Sequence, residues 1–168
     1  MPAADQPTSS DFPFLKTALT GKTVLVGVGN PLRGDDGVGP ALVARLHGRV
    51  DFVCIDAGTV PENYLGKIVK EQPDTILIVD AAHLGAAPGH WELLKKGDVV
   101  ESGLTTHSMS PKLVIEYLET ETRADIYLLA IQAEAVAFGA AMSPAVSRTL
   151  DQLYEFFVSD VAQPPPAV

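Results

Sequence analysis

The residues of this chain best suited to chemistry are carboxylates at the ends of apolar runs and one imidazole in a loop. Asp35 and Asp36 follow Val24–Val28, Asp56 follows Phe52–Ile55, Asp80 follows Ile76–Val79, and His107 lies in Thr105-Thr106-His107-Ser108-Met109-Ser110. Carboxylate oxygens with an imidazole nitrogen suit a divalent cation, and two carboxylates plus one imidazole leave positions open for water or substrate. A carboxylate beside such a position can also orient a water or take its proton. Sequence separation does not group these residues. Their placement does, because ligands of a doubly wound sheet collect outside the carboxyl ends of its strands.

The loop that carries the first pair, Gly27-Val28-Gly29-Asn30-Pro31-Leu32-Arg33-Gly34-Asp35-Asp36-Gly37-Val38-Gly39, looks at first like a dinucleotide-binding turn. The fingerprint places its third glycine where this chain has Leu32. Two aspartates at the helix start would also repel a pyrophosphate. The loop is built to meet a cation. Each acidic residue has a plainer role to set against this one. Asp35 or Asp36 could cap a helix or shape an Asp-Gly turn, and Asp56 could close an Asx turn on Gly58 or Thr59. Asp80 ends a strand that reads as fully buried, where an unpaired carboxylate would be costly. Cys54 falls inside a strand and reads as a small buried apolar residue, while His47, His83 and His90 read as surface or loop residues.

The elements that must position these groups follow from periodicity. The apolar runs Val24–Val28, Phe52–Ile55, Ile76–Val79 and Ile126–Ala130 have strand length and the continuity expected of strands covered on both faces. His90–Leu94 predicts a short extra strand at an edge. Between them lie helical patterns: Pro40 with Ala41, Leu42 and Leu46; Pro61 ahead of Tyr64, Leu65, Ile68 and Val69; Ser110-Pro111 and Ser143-Pro144, each an N-cap followed by proline. The alternation predicts an α/β fold, a three-layer α/β/α sandwich around a twisted, largely parallel sheet of about five strands, with room for a mixed edge. Residues 1–20 read as a polar leader with one short helix near Phe12–Leu19, residues 21–160 as a single α/β domain, and residues 161–168 as a proline-rich disordered tail.

Composition narrows the function. Twenty-one acidic against 12 basic residues give a net charge of -9, which argues against nucleic acid or an anionic membrane as partner. The first residues resemble no signal peptide, and no apolar run approaches the ~20 residues that span a bilayer. One cysteine among 168 residues excludes an internal disulfide and fits the cytoplasm. No Gly-x-Ser-x-Gly elbow, His-Glu-x-x-His helix or paired Cys-His is present, so hydrolysis here would need an activated water.

Taken together, Gly27-Val28-Gly29-Asn30, Gly34-Asp35-Asp36-Gly37, Asp56-Ala57-Gly58-Thr59-Val60-Pro61-Glu62-Asn63, Ile78-Val79-Asp80-Ala81 and Thr105-Thr106-His107 resemble the hydrogenase maturation endopeptidases, in order and with compatible gaps from about Lys22 to Leu153. The Asp at position 36, with Pro-Glu-Asn and Thr-Thr-His, is closest in pattern to the formate hydrogenlyase branch. The segment before Lys22 departs from the family pattern. The resemblance implies an endopeptidase that removes the C-terminal extension of a nickel-iron hydrogenase large-subunit precursor after nickel insertion. It carries the family's metal ligands to Asp36, Asp80 and His107, and its further important aspartate to Asp56. Two mechanisms stay open: a metal-activated water with Asp56 as orienting group or base, or nickel that arrives with the precursor and is read by the same residues, with zinc or another divalent ion able to take the place. Two other classes stand beside the protease, a non-enzymatic nickel- or precursor-binding module of the same pathway and a nucleotide-binding α/β domain.

Overall fold

The central strands form because their side chains alternate between two apolar layers. In β1 (Thr23–Val28) and β3 (Thr75–Ala82) every residue is buried. Leu25, Leu77, Val79, Leu129 and Ile131 face one layer, and Val24, Val26, Ile76, Ile78, Leu128 and Ala130 face the other. The computed structural model describes residues 11–102 and 111–161. Within them the sheet is completed by β2 (Val53–Gly58), β4 (Trp91–Leu94) and β5 (Asp125–Gln132). The order is β2-β1-β3-β5-β4. All neighbours are parallel except β4, which runs antiparallel to β5 with Trp91 opposite Ile131. The mostly parallel five-stranded sheet and its added edge strand are those the sequence predicted.

On one side lie α1 (Phe12–Ala18), α2 (Val38–Leu46) and α6 (Pro144–Phe156), which ends in a π-helical turn at Phe157–Val161. On the other lie α3 (Leu65–Lys70), α4 (Lys96–Ser102) and α5 (Pro111–Glu121). The N-terminal segment read as a leader supplies α1, whose Leu15 and Ala18 are buried. Its Phe12 ring lies 5.4 Å from Trp91 and 4.9 Å from Phe156. The proline at 144 follows a working cap, since Ser143 Oγ accepts the Val146 amide at 3.4 Å. The matching cap expected at Ser110 lies outside the described residues.

One strand differs in position and one helix was not expected. The run 52–55 reads as a core strand covered on both faces; its faces are covered, with Cys54 packing toward one layer and Ile55 toward the other, but β2 sits at the edge of the sheet with Val53 and Cys54 half-buried. An apolar run reports burial of side chains, not the presence of a neighbour on each side. Helix α4 had no expected counterpart, because its sequence shows a single apolar pair, Val99 and Val100, in a charged stretch.

The close helix-strand packing that a dinucleotide fold obtains from its third glycine is obtained here elsewhere. A Cβ on Gly39 would run into the carbonyl oxygen of Val79 and the backbone of Val28, and one on Gly27 would meet the Gly39 carbonyl. Glycine at both positions lets α2 lie directly on β1 and β3. That contact sets where the β1–α2 loop delivers its aspartates.

Candidate active site

The strand order reverses direction between β1 and β3, which makes their carboxyl ends the place where connecting loops diverge and a crevice opens. A cleft of 620 Å³ lies there. Asn30, Arg33 and Asp36 reach it from the β1–α2 loop, Ala81, Ala82 and His83 from the end of β3, and Glu134 with Val136 from the β5–α6 loop.

The adjacent aspartates divide the work. Asp36, 9% exposed, lines the cleft, and its Oδ2 accepts the Asn30 amide at 2.8 Å. The turn is tight because Gly29, at φ 144°, places its backbone where a side chain would collide with the Asp36 carbonyl oxygen. Asn30 Oδ1 in turn accepts the Leu32 amide at 2.9 Å. Asp35 is fully buried and points away from the cleft into the β5–α6 loop. Its carboxylate accepts the amides of Glu134 at 2.8 Å, Ala135 at 3.0 Å and Ser143 at 2.6 Å, and the Ser143 hydroxyl at 2.9 Å. The Asp35 amide completes the tie by donating to the Ala135 carbonyl at 2.8 Å. One aspartate therefore clamps two loops together and the other is presented to the cleft.

Asp80 is 3% exposed and lines a separate, apolar pocket of 20 Å³ with Val26, Ile78, Pro61, Pro111 and Leu128. That space holds about one water. Alternation along β3 is the reason: Asp80 shares its face with Ile76 and Ile78, toward α3 and α5, whereas Asp36 arrives with α2 on the other layer. The two carboxylates approach the end of the sheet from its two sides. Asp56 stands exposed at the edge strand, lines neither space, and accepts the Gly58 amide on Oδ1 at 3.0 Å. This is the Asx turn, and it begins where the β1–β2 register slips between Gly27 and Val28. His107 lies outside the described residues. Pro111, four residues further along the chain, lines the Asp80 pocket. Among the described residues no three His, Cys, Asp or Glu side chains are placed to hold a metal ion. Carboxylate oxygens at adjoining strand ends are nonetheless donors that suit hard and borderline divalent ions.

Three cleft residues were passed over in the sequence. His83, read as an ordinary surface histidine, lines the cleft, as do Arg33 and Glu134. Position was the available signal, since His83 directly follows the end of β3 and Glu134 lies two residues beyond the end of β5. Their loops are held in place: buried Gln132 accepts the Leu84 amide on Oε1 at 2.6 Å and donates to the Ala133 carbonyl at 2.8 Å. Cys54 keeps its structural role, and burial pushes its thiol pKa up.

The sequence profile of the hydrogenase maturation proteases matches residues 39–160. The chain belongs to that family. It is 33% identical over 135 residues to the hydrogenase 3 maturation protease of Escherichia coli K12, covering 79% of this chain and 86% of that protein. This is the branch that the motifs around Asp36 and His107 pointed to. The maturation protease HycI of Thermococcus kodakarensis KOD1 superposes with a TM-score of 0.80 at 28% identity, over 86% of this chain and 96% of that one. The solution structure of the endopeptidase HycI from Escherichia coli superposes with a TM-score of 0.73 at 32% identity, over 80% and 88%. As a hydrogenase maturation protease, the chain is a peptidase. No helix among its described residues is long and apolar enough to cross a membrane.

Proposed function

We propose that this maturation protease is a cytoplasmic endopeptidase that removes the C-terminal extension of a nickel-iron hydrogenase large-subunit precursor once nickel has been inserted. The observation that carries the reading is the presentation of Asp36, in a chain of this family, to an open cleft at the β1/β3 switch point. Asp36, Asp80 and His107 are the groups proposed to meet the metal, and nickel enters as cargo of the substrate. A divalent ion bound there would polarise a neighbouring carbonyl and acidify a bound water. Asp36 is held by the Asn30 amide with little freedom to swing, as a group that must recognise a fixed geometry requires. Asp80 stands beside room for about one water on the opposite layer. Asp56 is assigned the role of a further carboxylate that orients water or accepts its proton. Its tie to Gly58 fixes its direction.

The nucleotide-binding alternative is disfavoured by the same loop, because the Asn30 amide, a donor of the kind a phosphate needs, is already taken by Asp36. Mixing the purified protein with nickel-loaded and nickel-free cognate precursor, and following precursor mass, separates the remaining possibilities. The expected result is loss of the C-terminal segment from the nickel-loaded form alone. Binding without truncation of either form would establish a non-enzymatic module instead.

A further inference from the structure

Among the described residues seven large apolar side chains stand exposed, and four of them, Leu32, Val60, Val136 and Phe138, sit on loops at the carboxyl ends of β1, β2 and β5. Phe138 is 72% exposed and Leu32 61%. Apolar groups gathered in one exposed area mark a contact surface far more often than chance exposure does. This surface is also fixed. The Gly139 amide donates to the Leu32 carbonyl at 2.8 Å, tying the tip of the β5–α6 loop to the β1–α2 loop. The base of the same loop is held by Asp35 through the amides of Glu134 and Ala135. Val136 belongs both to this rim and to the wall of the cleft, so the two are continuous.

We propose that Leu32, Val136 and Phe138 form an apolar subsite that seats a large apolar side chain of the hydrogenase precursor next to the bond to be cut, with Arg33 and Glu134 facing the residues that flank it. The inference rests on the protease reading above and adds to it the residues that grip the substrate. Continuity with the cleft selects the occupant. A peptide threaded past Asp36 would cross the rim on its way, and a pre-ordered platform lowers the entropy lost when it does. A second copy of this chain seated on the rim would instead cover the cleft that the reaction needs. The rim side chains touch no reacting atom, so they act on binding and leave the chemical step alone.

Phe138→Ser, Leu32→Ser and the control Phe14→Ser, an exposed residue of α1, are compared with the wild-type chain. Steady-state cleavage of nickel-loaded precursor gives KM and kcat, biolayer interferometry on nickel-loaded and nickel-free precursor gives Kd, and circular dichroism checks the fold. Each rim variant is expected to raise KM and Kd roughly tenfold, the loss of one large side chain's burial, with kcat within about twofold. Phe14→Ser is expected to match wild type. Wild-type cleavage with unchanged KM and Kd in both rim variants overturns the subsite and leaves the protease reading intact. Wild-type binding without cleavage overturns the protease reading, and the variants' Kd values still decide the rim. A concentration-dependent dimer lost in Phe138→Ser, with precursor Kd unchanged, overturns the subsite in favour of self-association.

Discussion

Replacing Asp35 by alanine tests whether its neighbour and it do different jobs. The carboxylate is fully buried and gathers four donors, three of them backbone amides of the β5–α6 loop. A hydrogen bond to a charged acceptor contributes about 1.5–3 kcal/mol, and a buried donor left without a partner costs about 1–3 kcal/mol. The donors share one acceptor and the Ser143 hydroxyl can turn elsewhere, so the terms do not add, and a net loss of about 4 kcal/mol is expected for Asp35→Ala. Part of it arises at a distance, because Ser143 also caps α6. Against a typical total of about 5–15 kcal/mol this is severe, and it corresponds to a fall of roughly 8–16 °C in Tm for a chain of this size. Urea unfolding followed by circular dichroism, read as a shifted midpoint at constant slope, measures it. Asp36→Ala, at the cleft wall, is expected to lose less than about 2 kcal/mol by the same assay. A loss below about 1.5 kcal/mol for Asp35→Ala, or a larger loss for Asp36→Ala, would show that the division between clamp and site is wrong.

Asp36→Ala and His107→Ala are each expected to abolish truncation of nickel-loaded precursor, scored by mass, while circular dichroism stays native; wild-type cleavage by either variant removes that residue from the proposed set. Gly39→Ala is expected to destabilise by at least about 2 kcal/mol, since the new methyl meets backbone of β1 and β3 that cannot yield, and a neutral result in urea unfolding would contradict the close packing. Burial raises the Cys54 thiol pKa, so at neutral pH the native protein holds less thiolate than the unfolded chain and should alkylate more slowly with iodoacetamide, the rate climbing as pH rises. Equal native and urea-unfolded rates at one pH would refute the burial.

Much of the fold was legible because it depends on local pattern. Apolar runs of strand length located β1, β3 and β5, and the weaker run at His90–Leu94 located the antiparallel edge strand, since period and length act over a few residues. Ser143 before Pro144 marked the start of α6 for the same reason. Helix α4 escaped because its charged stretch leaves too little apolar pattern to read.

The sequence by itself determined that the chain has an α/β fold of the hydrogenase maturation protease pattern, with carboxylates at three strand ends. Tertiary structure decided what each carboxylate does. Asp35 and Asp36 are the same residue type in adjacent positions, and only the arrival of Glu134, Ala135 and Ser143, about a hundred residues away in the chain, makes the first a clamp. Asp56 and Asp80 both stand at strand ends, the first open to an Asx turn and the second closing a run that reads as fully buried. The order of the sheet put one at an exposed edge, and the alternation of β3 turned the other into the opposite layer from Asp36. Side-chain partners across the sheet are set by which strands lie side by side, and that choice is made by the whole core.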